Sequence, residues 1–186
     1  MPASYNFRKI ISESYGVLLV AAVIGLAAGY LLENHLPRHV AIFLMMVPPL
    51  NSMGGNIGSV LAARLSSALH LGVVTPDFQR QRVLGINITA SGILGIISFF
   101  VIGASFFFIE YLVFSGALMT SFKIMLIFFS AGLLLTVILI GVTVTSTFIS
   151  YKRGIDPDNV VMPIVTTLGD IGGIASLILL IHLTGV

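Results

Sequence analysis

An all-α membrane protein of five transmembrane helices in one domain, residues 1–186, is predicted on three observations. Hydrophobic residues make up 57% of the chain and charged ones 9%, where a soluble domain carries roughly 25% charged residues. Five segments, about 15–33, 40–69, 84–110, 121–150 and 158–183, approach or exceed the ~20 apolar residues of a spanning helix. Polar breaks separate them at Glu33–His39, His70–Arg82, Ser115–Lys123 and Tyr151–Asp158. Cysteine is absent, which excludes disulfides, thiolate metal sites and thiol catalysis together. Tryptophan is absent too, so anchoring at the membrane surface rests on Tyr, Lys and Arg. The net charge is only +2 and its basic residues sit in loops, which argues for a lipid bilayer as partner and against nucleic acid.

The first segment follows Arg8 and Lys9 and resembles a signal peptide at first sight. Its apolar run, Tyr15 to Leu32, is longer than the usual signal core and no small-x-small cleavage site follows. A retained first span is expected. Basic residues then set the orientation. Arg8, Lys9, Arg64, Arg80, Arg82, Lys152 and Arg153 fall on one side, and only Arg38 and Lys123 on the other. By the positive-inside bias the N-terminus is cytoplasmic and the C-terminus outside, in the cytoplasmic membrane. Five helices rarely enclose a polar path alone, so a homodimer is the expected assembly. Gly25–Gly29 and Gly54–Gly58 have the spacing of small-residue packing faces.

The second span is unusually polar. It reads Pro48-Pro49-Leu50-Asn51-Ser52-Met53-Gly54-Gly55-Asn56-Ile57-Gly58-Ser59. The two prolines leave the carbonyls of Leu44 and Met45 without their helical donors. A broken backbone is expected here, tolerated at membrane depth only when buried in protein or lining a cavity. The fourth span carries Thr136, Thr143, Thr145, Ser146 and Thr147, whose hydroxyls are expected to bond local carbonyls. Histidines 35, 39, 70 and 182 lie at span ends and are read as interfacial.

The fifth span opens on Asp156-Pro157-Asp158-Asn159, with Asp156 as a good N-cap and Pro157 at the first helical position. Asp170 follows about 20 Å up the helix, near the middle of a ~30 Å hydrocarbon layer. It is the one acidic residue of seven in the middle of an apolar span. A carboxylate there costs about 2.5–3.5 kcal/mol on insertion scales, so it ordinarily faces a partner or a water-filled path. Thr166 and Thr167, four and three residues earlier, are expected on or beside its face. Gly169, Gly172 and Gly173 leave room around it, and Pro163 bends or loosens the helix below.

Oxygen-only side chains and one carboxylate per chain point to a hard cation. Mg²⁺ keeps several waters and takes one or two carboxylates, which a two-fold pair of Asp170 side chains supplies. The competing reading makes Asp170 a packing acid bonded within the protein, with Asn51 and Asn56 as interhelical hydrogen-bond glue. Arg64, at the inner end of span two, is read as reaching for anionic headgroups.

Two stretches resemble a known family. Gly55-Asn56-Ile57-Gly58-Ser59-Val60-Leu61-Ala62-Ala63-Arg64-Leu65-Ser66 is similar to the second-span motif of the MgtE and solute carrier family 41 Mg²⁺ transporters. Asp156-Pro157-Asp158-Asn159-Val160-Val161-Met162-Pro163-Ile164-Val165-Thr166-Thr167-Leu168-Gly169-Asp170 is similar to their last-span motif, especially in the solute carrier branch. The resemblance implies an MgtE-like transmembrane domain, dimeric, with a pore at the interface lined by spans two and five. It implies that Asp170 binds the permeating Mg²⁺, that Thr166 lies near the ion, and that Asn56 and its glycines belong to the pore segment. With Asn51, Gly55 and Thr167 these form the candidate metal site. Val60 stands where bacterial members commonly have Gln. With about 14 residues before the first span no cytosolic gating domain is expected, and a single membrane half favours a homodimer.

The expected function is a Mg²⁺ channel or transporter, not an enzyme, with Mg²⁺ as the transported ion. A Na⁺- or H⁺-coupled Mg²⁺ exchanger is the alternative, because one carboxylate can carry a proton when empty. Two remoter readings are an intramembrane aspartyl protease, from the Gly169-Asp170 pair, and a non-transporting assembly subunit. The chain holds no second mid-span Asp for the protease.

Overall fold

The computed structural model describes residues 16, 18–24, 26, 41–79 and 81–185. Most of the predicted first span lies outside these residues; those described within it are helical. Arg8, Lys9, the Glu33–His39 connection and Arg80 also lie outside them.

Four long helices follow: α1 (Ala41–His70), α2 (Arg82–Phe108), α3 (Leu118–Lys152) and α4 (Pro157–Thr184). A π-helical turn, Ile109–Val113, prolongs α2. Among the described residues three helices are long and apolar enough to cross a membrane: α2 with its π turn, α3 and α4. α1 has the length, 30 residues, but stands outside that set. Pro48, Pro49, Asn51, Ser52 and Asn56 dilute its apolar character. Of the five spans expected, these three are shown by length and composition.

The broken backbone expected in the second span is not found. α1 runs through Pro48 and Pro49 as continuous helix, and α4 runs likewise through Pro163. Proline's fixed φ suits a helix. Packing on neighbouring helices sustains one that has lost a few donors.

Local chemistry sets the helix ends. The Asp156 side chain accepts from the Asp158 N–H at 3.1 Å, and Pro157 occupies the first turn, where a missing donor costs nothing. At the other end Gly185 adopts φ 64°, a left-handed cap that favours glycine. The α1–α2 connection is clamped by Gln81, whose amide accepts from the Thr75 N–H at 2.8 Å and donates to the Thr75 carbonyl at 2.9 Å.

α3 is the central post. Phe128, Leu135 and Leu139 are fully buried within the main core. Phe99 of α2 occupies the space a side chain on Gly132 would need, and its ring lies 5.9 Å from that of Phe128. A second cluster joins Leu61, Leu65 and Leu69 of α1 to Val144 and Phe148 of α3. The Tyr151 hydroxyl closes that end by donating to the Leu69 carbonyl at 3.2 Å.

Candidate functional site

Small residues let α1 and α4 cross closely. A Cβ built on Gly169 stands 3.5 Å from the Gly55 nitrogen, and one on Gly55 stands 3.4 Å from Thr166 Cγ2. Gly58 lies so tightly under Val165 that any side chain there collides with it. Gly173 likewise lies against Asn51. The pairs 51 with 173, 55 with 169 and 58 with 165 run in opposite directions, so α1 and α4 are antiparallel. Gly54 facing Leu135, Gly58 facing Thr143 and Tyr151 reaching Leu69 run in the same direction, so α1 and α3 are parallel.

This crossing brings the two polar segments together at one level. The Asn51 side chain lies beside the Asp170 carboxylate, and only its NH₂ group can donate toward it. The Asn51 Oδ1 atom is buried with no hydrogen-bond partner. Ser52, Asn56, Val60 and Arg64 are exposed at four-residue intervals, tracing one stripe along α1. Thr166 and Asp170 are exposed one turn apart on α4. The Thr166 hydroxyl donates to the Met162 and Pro163 carbonyls, each at 3.1 Å. Its proton is thereby engaged, and its oxygen retains a lone pair.

Thr167 is placed differently. It is buried, and its hydroxyl donates to the Pro163 carbonyl at 2.8 Å. It borders an apolar cavity of about 370 Å³ between the first span, at Val20 and Ile24, and Ile164 and Leu168 of α4. Six candidates thus divide into an exposed group of Asp170, Thr166 and Asn56 and a backing group of Asn51, Gly55 and Thr167. Among the described residues no three His, Asp or Glu side chains cluster as a metal site. One subunit therefore offers a cation a single carboxylate together with neutral oxygens.

In the fourth span the expected pairing holds for Thr136, which donates to the Gly132 carbonyl at 2.8 Å. It fails for Thr143 and Thr147, whose buried hydroxyls have no partner, as has that of Ser66 on α1. Sequence reasoning also missed the seat of Asn51 against Gly173. The unusual glycine pair at 172–173 was its only signal.

Comparison with known proteins identifies the family. The family model for MgtE, described as a divalent cation transporter, matches residues 47–180, well over half of the chain. Rat solute carrier family 41 member 3 is 29% identical over 147 residues, covering 72% of this chain and 29% of the rat protein. The mouse member 3 protein is 27% identical over 188 residues, covering 91% of this chain and 36% of its own length. Human solute carrier family 41 member 2 is 27% identical over 189 residues, covering 88% and 31%. The chain thus spans about a third of the length of these relatives. No solved structure matches it significantly. Most of α1 and of α4, with the crossing at Gly55 and Gly169 that carries Asp170, falls inside the matched region, and the chain belongs to the MgtE divalent cation transporter family, a family of transporters and not of enzymes.

Proposed function

We propose that this chain is the path-forming membrane domain of a Mg²⁺ channel or transporter, and that two copies face each other across the α1–α4 stripe. One observation carries the reading. Asn56, Thr166 and Asp170 are exposed on a single chain midway along α1 and α4, and α4 is long and apolar enough to cross a membrane. A bare carboxylate facing lipid at that depth is too costly to persist. Water, a cation or a second copy must cover it.

A homodimer with its two-fold axis along the stripe provides all three. Each copy contributes one Asp170, and the pair offsets the charge of a divalent ion. Mg²⁺ parts with its water reluctantly and is commonly held through one or two carboxylates with several waters retained. Asp170 would supply the attraction, while Thr166 Oγ1 and Asn56 Oδ1 accept hydrogen bonds from the ion's waters. Gly55 lets α4 approach closely enough to bring Thr166 to the same level as Asn56. The basic loops place the N-terminus in the cytoplasm and the C-terminus outside.

A melting-temperature series tests the binding step, because a ligand that binds only the folded state raises stability. The purified full chain is melted in Mg²⁺, Mn²⁺, Ca²⁺ and Na⁺, beside the variant Asp170→Asn. A rise with Mg²⁺ in the native protein, lost in the variant, supports the site. Equal rises in both proteins would remove Asp170 from it.

A further inference from the structure

We infer that Asn51 is a positioning residue for the Asp170 carboxylate, locked in place by a notch at Gly173, and is not itself a ligand of the ion. The inference rests on the reading of Asp170 as the ion-binding acid. Its starting point is the two ends of one amide. The Asn51 NH₂ group is the end directed at Asp170, while Oδ1 is buried and has no hydrogen-bond partner. Oδ1 occupies the space where a Cβ on Gly173 would lie. Leu135 closes the notch from the side, with Cδ2 3.6 Å from that Cβ position.

The orientation follows from chemistry. Turned over, the amide would press its carbonyl oxygen against a carboxylate and seal two N–H donors into a notch without an acceptor. Both changes are unfavourable. In the observed orientation only one acceptor is left unpaired, and the donor end meets an acid. Asn51 thus gives up a hydrogen bond at Oδ1 and holds the Asp170 side chain in return.

That exchange suits an ion whose shell demands near-octahedral geometry. Outer-shell hydrogen bonds that orient a ligating carboxylate typically change metal affinity 10–100-fold when removed. Glycine at 173 is then a requirement of the site. Alanine there would displace Oδ1 and, through the amide, the carboxylate.

The test measures two quantities on the full chain in detergent: the metal-free melting temperature, and the Mg²⁺ concentration that gives half the Mg²⁺-induced rise. Asn51→Leu, of similar size, removes the donor and the unpaired oxygen together. It is expected to raise the half-effect concentration about 10-fold or more, with no fall in the metal-free melting temperature. Asn51→Ala only removes atoms and gives the same Mg²⁺ readout should leucine fit poorly. Gly173→Ala is expected to raise the half-effect concentration as well. Combined with Asn51→Ala it should add little, since both act through one amide. A wild-type half-effect concentration in the Asn51 variants, with Asp170→Asn unresponsive to Mg²⁺, overturns the positioning role alone. A native Mg²⁺ response in Asp170→Asn overturns the ion site itself.

Discussion

Two exposed faces of this molecule differ in kind. On α2 the exposed side chains are mostly apolar, among them Ile86, Ile93, Ile97, Phe100 and Val101, and the exposed hydroxyls of Thr89 and Ser105 each bond a carbonyl of their own helix. On α1 and α4 they include Ser52, Asn56, Thr166 and Asp170. Hydrocarbon solvates the first group without cost and cannot solvate the second. Exposure inside a membrane therefore carries two meanings. An apolar face is finished, whereas a polar face awaits water, an ion or another protein surface. The backing of the two faces differs to match. Behind α2 lie aromatic rings such as Phe99, seated over Gly132. Behind the polar stripe lie glycines, which trade side-chain bulk for close approach of two helices.

The sharpest way to break this contrast is to move a charge between the faces. Ile97→Asp puts a carboxylate on the lipid side of α2 and should cost about 2.5–3.5 kcal/mol of insertion free energy. Ser52→Asp puts the same group on the stripe and should leave the yield of folded protein near the native level. Equal losses in the two variants would mean that both faces meet lipid.

The next effect concerns the helix crossing. Gly58→Ala drives a methyl into Val165 and should destabilise by about 1–3 kcal/mol, as overpacking does. Gly169→Ala meets only ordinary contacts at 3.5–3.6 Å and should shift the melting temperature little. Similar shifts would contradict the register of α1 on α4.

The smallest effect lies outside the membrane and acts as a control. In the α1–α2 connection the Thr75 hydroxyl, at 2.8 Å, and the Gln79 backbone N–H, at 3.1 Å, hold the Asp77 carboxyl below its usual value. A lowered folded-state pKa contributes stability that is present above the unfolded value and lost as pH falls through the folded one. Loop stability should therefore decline only below about pH 4. Asp77→Asn should abolish that decline, as read by amide hydrogen exchange across residues 71–79. Because Asp77 lies in the α1–α2 connection and not on the stripe, Mg²⁺ binding should not follow this titration.

Legibility from sequence differed in the same way between the two regions. Asp170 and Asn56 stand out because each is a polar residue where its neighbours are apolar, and cost alone marks them. Thr166 and Thr167 could not be separated so. They sit four and three residues before Asp170, and either could share its face until the packing partner of α4 is known. The partner turned Thr167 inward and left Thr166 out. Asn51 was legible as polar, but the division of its amide between Asp170 and Gly173 depends on which glycine of α4 faces α1. The continuity of α1 through Pro48 and Pro49 was hidden for a related reason, because support from α3 and α4 is tertiary. Thr143 and Thr147 follow the same rule: local carbonyls lie within reach of both, yet packing leaves their hydroxyls unpaired.

Mg²⁺ entry into proteoliposomes reconstituted with the native chain or with Asp170→Asn, followed by an entrapped Mg²⁺-sensitive dye, tests the central claim most directly. The account predicts Mg²⁺ entry through the native chain and none above empty vesicles through the variant, with both proteins folded and assembled alike. Undiminished entry through Asp170→Asn would contradict it.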